Sequence, residues 1–309
     1  VTDPNASIPA KTLPAVPSLA PLYAKAAKGG KRTNRTSNLK APALAVKGVT
    51  VEAARDEEFR RVAGAPAVDH LANGAFFGHV HSLIMPLQME LMAADDFPLP
   101  MMGLIHTSNT YRQLKPVPVG SEVDVEVRVA GFRAHRSGTE VVHEATVSRG
   151  GEVLVEETSV YLAKGKRLDD VEPLAESAGA SKRPQFKVPT PTAQWRVPGS
   201  IGRTWAKVSG DWNPIHVTGL TAKALGMPGV VAHGMYTASR ALAESNVPGG
   251  APFEFHIEFA APVIVPATVM VAITRAGEVV DGEGRGGTDI VAWDRKKRRP
   301  HFTGSVRDI

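Results

Sequence analysis

Val208-Ser209-Gly210-Asp211-Trp212-Asn213-Pro214-Ile215-His216, followed by Val231-Ala232-His233-Gly234-Met235-Tyr236, is the stretch on which the reading of this chain turns. Gly210, Asn213 and Pro214 are turn formers, and Pro214 keeps Asn213 out of helical geometry. Asp211 and His216 are therefore expected on one constrained loop that aims both side chains at a common point. A short helix from Leu220 to Leu225 should follow, ended by Gly226 and Pro228, before the chain returns at His233-Gly234 to begin a long helix. The Gly234 N–H then sits at the positive end of a helix dipole, with no intrahelical acceptor and no side chain in front of it. Such an amide suits a developing oxyanion.

Around this loop the chain repeats itself. After it come the helix Gly234 to Ser245 and strands near Phe253–Phe259, Ala267–Arg275, Thr288–Trp293 and His301–Arg307. Before it, the apolar block Phe76 to Met92 reads as a buried helix, and alternation marks strands at Val119–Val129, Val141–Val147 and Val153–Leu162. Pro116, Val119, Val123, Val125 and Val127 lie 146 residues ahead of Pro262, Val265, Val269, Val271 and Ile273. The expected class is α+β with two similar units in tandem, each a long helix covered by an antiparallel sheet. Residues 42–164 form the first unit and 185–309 the second, joined by a linker at 165–184 rich in Gly, Ser, Pro and charge. Residues 1–41 read as a basic, Pro/Ala/Gly-rich arm that packs locally near Leu19 to Ala26 and carries little chemistry.

The quoted motifs resemble the signature of the MaoC-like, or R-specific enoyl-CoA hydratase 2, family. They are also similar to the dehydratase region of type I fatty acid synthases and to free-standing mycobacterial 3-hydroxyacyl-thioester dehydratases with two units. The motif-bearing resemblance covers about Ala193 to Arg307, and the first half matches more loosely around Asp96 to Val119. It implies a tandem (double) hot-dog fold in which the second unit is catalytic and the first shapes the acyl tunnel. It further implies that Asp211 and His216 flank the water or hydroxyl, that the Gly234 N–H binds the thioester oxygen, and that the 3R isomer is handled. Which of the two side chains moves which proton is left open. Asn213 either fixes the loop, the preferred role, or touches the site water; His233 is either a substrate contact or a hydrogen-bonded structural histidine. Phe76, Phe77, Met85, Met89, Met101 and Met102 are candidates for the tunnel wall. The first half has no matching Asp and His pair, so no second active site is expected. The substrate would be an acyl-CoA or acyl-carrier-protein thioester, with no cofactor and no metal. A thioesterase of the same fold and a non-catalytic acyl-binding module are the alternatives.

Other signals weigh less. The chain has 309 residues, no cysteine and 43% hydrophobic residues, so it buries a large core and has no thiol chemistry. Its pI is near 9.4, yet eight of its 36 basic residues and one of its 31 acidic ones lie in the first 50 positions. The rest is nearly balanced, which argues against nucleic-acid binding by the folded body. The apolar stretch Ala260–Thr274 is broken by Pro262 and Pro266 and falls short of the roughly 20 residues a bilayer span needs. With no signal-like start, a cytoplasmic protein is expected, as monomer or homodimer. Gly282-Glu283-Gly284-Arg285-Gly286-Gly287 fits a dinucleotide-binding pattern, but a strand should follow it, so it reads as a hairpin loop. His79 and His81 show no neighbouring partner that would complete a metal site. Arg295, Lys296, Lys297 and Arg298 form a basic turn, either a solvated tip or a contact for coenzyme A phosphates or an acidic carrier protein.

Overall fold

Wherever apolar and polar residues alternate, the chain forms strand, and the strands join edge to edge in one sheet. The computed structural model describes residues 8–28, 35–65, 74–172, 174, 186–245, 250–275 and 286–309. Its strands are β1 Lys11–Leu13, β2 Ala43–Thr50, β3 Ile105–Gln113, β4 Glu122–His135, β5 Gly138–Arg149, β6 Glu152–Lys164, β7 Ala193–Val197, β8 Phe253–Phe259, β9 Ala267–Thr274, β10 Gly287–Asp294 and β11 Pro300–Asp308. They lie in the order β1-β2-β4-β5-β6-β3-β8-β11-β10-β9-β7. Apart from the parallel β1–β2 pair, every pairing of these strands is antiparallel.

The order is the same device used twice. Strands β2-β4-β5-β6-β3 of the first unit correspond one for one to β7-β9-β10-β11-β8 of the second, read from the outside to the centre. The 146-residue echo maps Val123, Val125 and Val127 of β4 onto Val269, Val271 and Ile273 of β9, which occupy equivalent places. The seam is β3 against β8, where Asn109 pairs with Ile257 and Tyr111 with Phe255. Joining the units there hides two sheet edges that would otherwise need protection.

The helices are α1 Leu19–Lys28, α2 Ala53–Ala63, α3 Phe77–Ala93, α4 Ile201–Ser209, α5 Gly219–Ala224 and α6 Gly234–Glu244. None of the described helices is long and apolar enough to cross a membrane. Fifteen of the 17 residues of α3 are buried, which explains why its sequence carries no amphipathic stripe. It crosses α6 closely: a Cβ on Gly78 would lie 2.7 Å from Ser239 Oγ. The chain is a tandem hot-dog, two long helices wrapped by one continuous sheet.

The N-terminal segment departs from expectation. β1 extends the sheet beside β2, with Thr12 opposite Ala45. α1 packs on α3 and buries Leu19 and Leu22 in the common core. Of the linker expected at 165–184, residues 173 and 175–184 lie outside the described residues, as do residues 282–285 of the glycine-rich run. That run is followed by strand β10, not by a helix.

Candidate active site

The loop after α4 is built by short-range hydrogen bonds. α4 ends at Gly210, which takes φ 78°, a left-handed conformation that glycine adopts without steric cost, and donates its N–H to Ala206 O. Asp211 Oδ1 accepts from the Asn213 N–H at 3.1 Å, and Asn213 Oδ1 accepts from the Ile215 N–H at 3.4 Å. These two Asx turns hand the chain to a 3-10 turn, Pro214–His216. Asn213 thus supports the loop. The loop lies directly on α4, because a Cβ on Gly202 would come within 1.9 Å of His216 O.

Asp211, His216 and His233 converge, with ligand-type atoms of all three within 4.8 Å of one another. His216 is 8% exposed and His233 3%. His216 Nδ1–H donates to Val231 O at 2.7 Å, which leaves Nε2 as its free nitrogen. His233 Nε2–H donates to the Asp211 backbone oxygen at 2.9 Å, and its ring stacks on His216 at a centroid distance of 3.7 Å. Asp211 Oδ2 lies 3.6 Å from His233 Nε2.

The charge states follow from these contacts. Burial favours a neutral Asp211 carboxyl, but the two imidazoles, a phenol and the Asn213 N–H outweigh it and hold Asp211 below the usual range. Burial lowers His216, partly opposed by the Asp211 charge and the Val231 carbonyl. Burial and the neighbouring His216 press His233 down to about 3. At neutral pH the site holds one carboxylate and two neutral imidazoles.

The phenol belongs to Tyr23 on α1, whose O–H donates to Asp211 Oδ1 at 2.6 Å. The segment read as an arm with little chemistry therefore contributes to the site, a correction no local pattern could have supplied. Tyr23 and the Asn213 N–H together occupy Oδ1, which leaves Oδ2 toward His233.

A cavity of 410 Å³ adjoins these groups and also touches Gly234, Trp205 and Tyr161. Seven of the eight methionines line it, among them Met85, Met89, Met101 and Met102, as the sequence suggested, with Met92, Met227 and Met235 in addition. Phe76 and Phe77 do not line it. Phe77 packs edge-on against Tyr111 and Phe255, while the Arg60 guanidinium covers Phe76.

The two long helices begin differently. At the start of α3 the N–H of the N-cap residue Phe76 donates to the buried Asp56 carboxylate at 2.6 Å. At the start of α6 the Gly234 N–H has no acceptor among the described residues and borders the cavity.

The second half of the chain, residues 180–291, matches the model of the MaoC like domain. Over 228 residues the chain is 36% identical to 3-hydroxyacyl-thioester dehydratase X of Mycobacterium tuberculosis, covering 74% of this chain and 77% of that protein. The chain belongs to the MaoC-like family. The crystal structure of the M. tuberculosis protein HtdX superimposes with a TM-score of 0.69 at 30% identity, over 86% of this chain and all of that one. A MaoC-like dehydratase from Phytophthora capsici gives 0.67 at 16% identity, over 90% of this chain and 98% of that one, a likeness of fold.

Within this MaoC-like chain, the Asp211, His216 and His233 cluster has the spacing of a metal site. One nitrogen of each ring is bonded to a backbone carbonyl, and the stacked rings run their in-plane lone pairs side by side. His79 and His81 do have carboxylate partners, Asp56 and Glu157, which lie too far along the chain for spacing to reveal. The basic run forms the exposed β10–β11 turn, with the Lys296 and Lys297 N–H groups on Asp294 Oδ1. Beyond it, His301 lines the cavity and donates to Ala261 O.

Proposed function

We propose that this chain catalyses the reversible R-specific hydration of trans-2-enoyl thioesters and the dehydration of (3R)-3-hydroxyacyl thioesters, carried by coenzyme A or an acyl carrier protein. The observation that carries the reading is the Gly234 amide, open onto a methionine-lined cavity beside Asp211 and His216.

Dehydration moves one proton from C2 to the departing C3 oxygen and needs no cofactor. As the C2–H bond breaks, charge builds on the thioester oxygen, and the Gly234 N–H at the helix end stabilises it by donating a hydrogen bond. The C2 proton goes to the Asp211 and His216 pair, which in its resting state has a free carboxylate oxygen and a free imidazole nitrogen to receive it. The same pair returns a proton to the C3 oxygen as the C–O bond breaks, and water leaves. Hydration is the reverse. The methionine wall accepts the acyl chain, since thioether side chains adapt their shape to an apolar guest.

Crotonyl-CoA tests the reading directly. Loss of the conjugated enoyl-thioester absorbance without thiol release is expected. Release of free coenzyme A would instead indicate a thioesterase, and binding without either change a non-catalytic module.

A further inference from the structure

We propose that His81, backed by Glu157 and faced by His106, is a binding station for a second hydroxyl group on the acyl chain, beyond C3. The inference rests on the acyl-thioester reading of the cavity and adds a substrate class to it.

The wall contributed by α3 is Gly78, His81, Ser82, Met85, Met89 and Met92. Past Ser82 it is thioether throughout, and a plain hydrocarbon chain would be served by the same chemistry at position 81. His81 is instead part of a buried polar assembly. Its Nδ1 lies 2.9 and 3.0 Å from the two oxygens of Glu157, which is 1% exposed and also accepts from Ser159 Oγ. Burial alone would raise the Glu157 carboxyl, but His81, Ser159 and His106 outweigh it and keep it ionised.

An ionised carboxylate only accepts, so His81 Nδ1 carries a proton and Nε2 is the ring nitrogen left to meet a ligand. That nitrogen has no partner among the described residues. Neither has Nε2 of His106, whose ring stacks on His81 at 6.2 Å and also lines the cavity. Burial holds His106 neutral, down to about 3. Two buried ring nitrogens without a partner, on neighbouring stacked rings, match a hydroxyl group, which both donates and accepts. Buried polar atoms are normally paired, and two without a partner on residues that line the cavity call for a ligand that pairs them.

The station lies near the reacting carbons. His106 packs on Phe259 at 5.4 Å, and Phe259 is 3.2 Å from where a Gly234 Cβ would stand. Along α3, Met85 follows His81 by about 6 Å and Met92 by about 16 Å. The hydroxyl is therefore placed between the thioester and the methionine-lined end of the cavity.

The test compares wild-type kcat/KM on unsubstituted 3-hydroxyacyl-CoA chains with matched chains bearing one further hydroxyl at successive carbons beyond C3. One position should be preferred roughly tenfold, the worth of a hydrogen bond made in a dry site. The preference should vanish in His81→Leu and shrink in Glu157→Gln. Because the wild-type panel itself decides, a variant that fails to fold does not rescue the idea. If plain chains react as well as every hydroxylated one, the station is wrong while the dehydratase reading stands. A preference that survives His81→Leu, or a loss of equal size on plain and hydroxylated chains, also overturns it. Should no thioester turn over, the dehydratase reading fails, and the same ranking by ligand quenching of tryptophan fluorescence, with Trp205 in the wall, still decides the station.

Discussion

Tyr23 Oη stands 2.6 Å from Asp211 Oδ1 although 188 residues separate them. The phenol donates to the ionised carboxylate, lowers its proton affinity and fixes which oxygen faces the reaction. Replacing Tyr23 with Phe removes that donor and leaves the Asn213 N–H in place. We expect kcat to fall roughly tenfold, in line with the loss of one hydrogen bond to a charged group. The sign of the pH effect is set: without the phenol Asp211 takes up its proton at a higher pH, so the deficit must grow as pH is lowered. A deficit that is constant across the pH range would mean that Tyr23 only packs.

Asp211→Asn and His216→Ala should each cost roughly two to four orders of magnitude in kcat, the usual worth of a positioned acid or base. The reaction needs His216 neutral. Because burial holds its imidazole below the ordinary value of 6.5, activity should stay flat through neutral pH and decline only below that value. In Asp211→Asn the charge that props His216 up is gone, so the residual activity should persist to still lower pH. An acid limb above 6.5 in the wild-type kcat profile would contradict the assignment of His216. Exhaustive chelation should leave the rate unchanged, whereas a loss restored by a divalent ion would make the histidine and carboxylate cluster a metal site.

Gly202→Ala probes the loop from behind. The new Cβ would need the space 1.9 Å from His216 O, so the loop must move by an ångström or more. A displacement of that size costs roughly a hundredfold when proton transfer depends on alignment. Circular dichroism and thermal melting should show a folded protein, with the loss in kcat and little change in KM. Wild-type turnover from this variant would mean that the His216 position tolerates displacement, and the tight-loop account would fail.

The loop from Gly210 to His216 was legible because its determinants are local. Gly210, Asn213 and Pro214 act within a few residues of Asp211 and His216, and Gly234 starts its helix where the pattern put it. Tandem duplication was visible in β4 and β9, whose valines keep their alternation. β3 was missed because its buried side carries Asn109, Tyr111 and Gln113, so no apolar period exists to read. α2 was missed for the opposite reason: Ala53–Ala63 is dominated by charge, and what fixes it is the buried Asp56, which caps α3 20 residues later. Tyr23 and the His81 and Glu157 pair share one property. Their partners lie 188 and 76 residues away, and only the folded sheet brings them together.

The exposed turn of Arg295, Lys296, Lys297 and Arg298 makes the last prediction. Asp294 organises its backbone through the Lys296 and Lys297 N–H groups, so the four side chains are held out into solvent. Only Arg299 and Pro300 separate the turn from His301 in the cavity wall. Coenzyme A phosphates or an acidic carrier protein would be drawn there. Replacing all four with Gln should raise KM by roughly tenfold at low salt, since each exposed charge contributes well under 1 kcal/mol. kcat should hardly change, because the turn touches none of the reacting groups. The effect should fade as salt is raised to about 1 M, where the Debye length shrinks to about 3 Å. An unchanged KM at low salt would make the tip a solvated turn and move the phosphate contacts elsewhere on the chain.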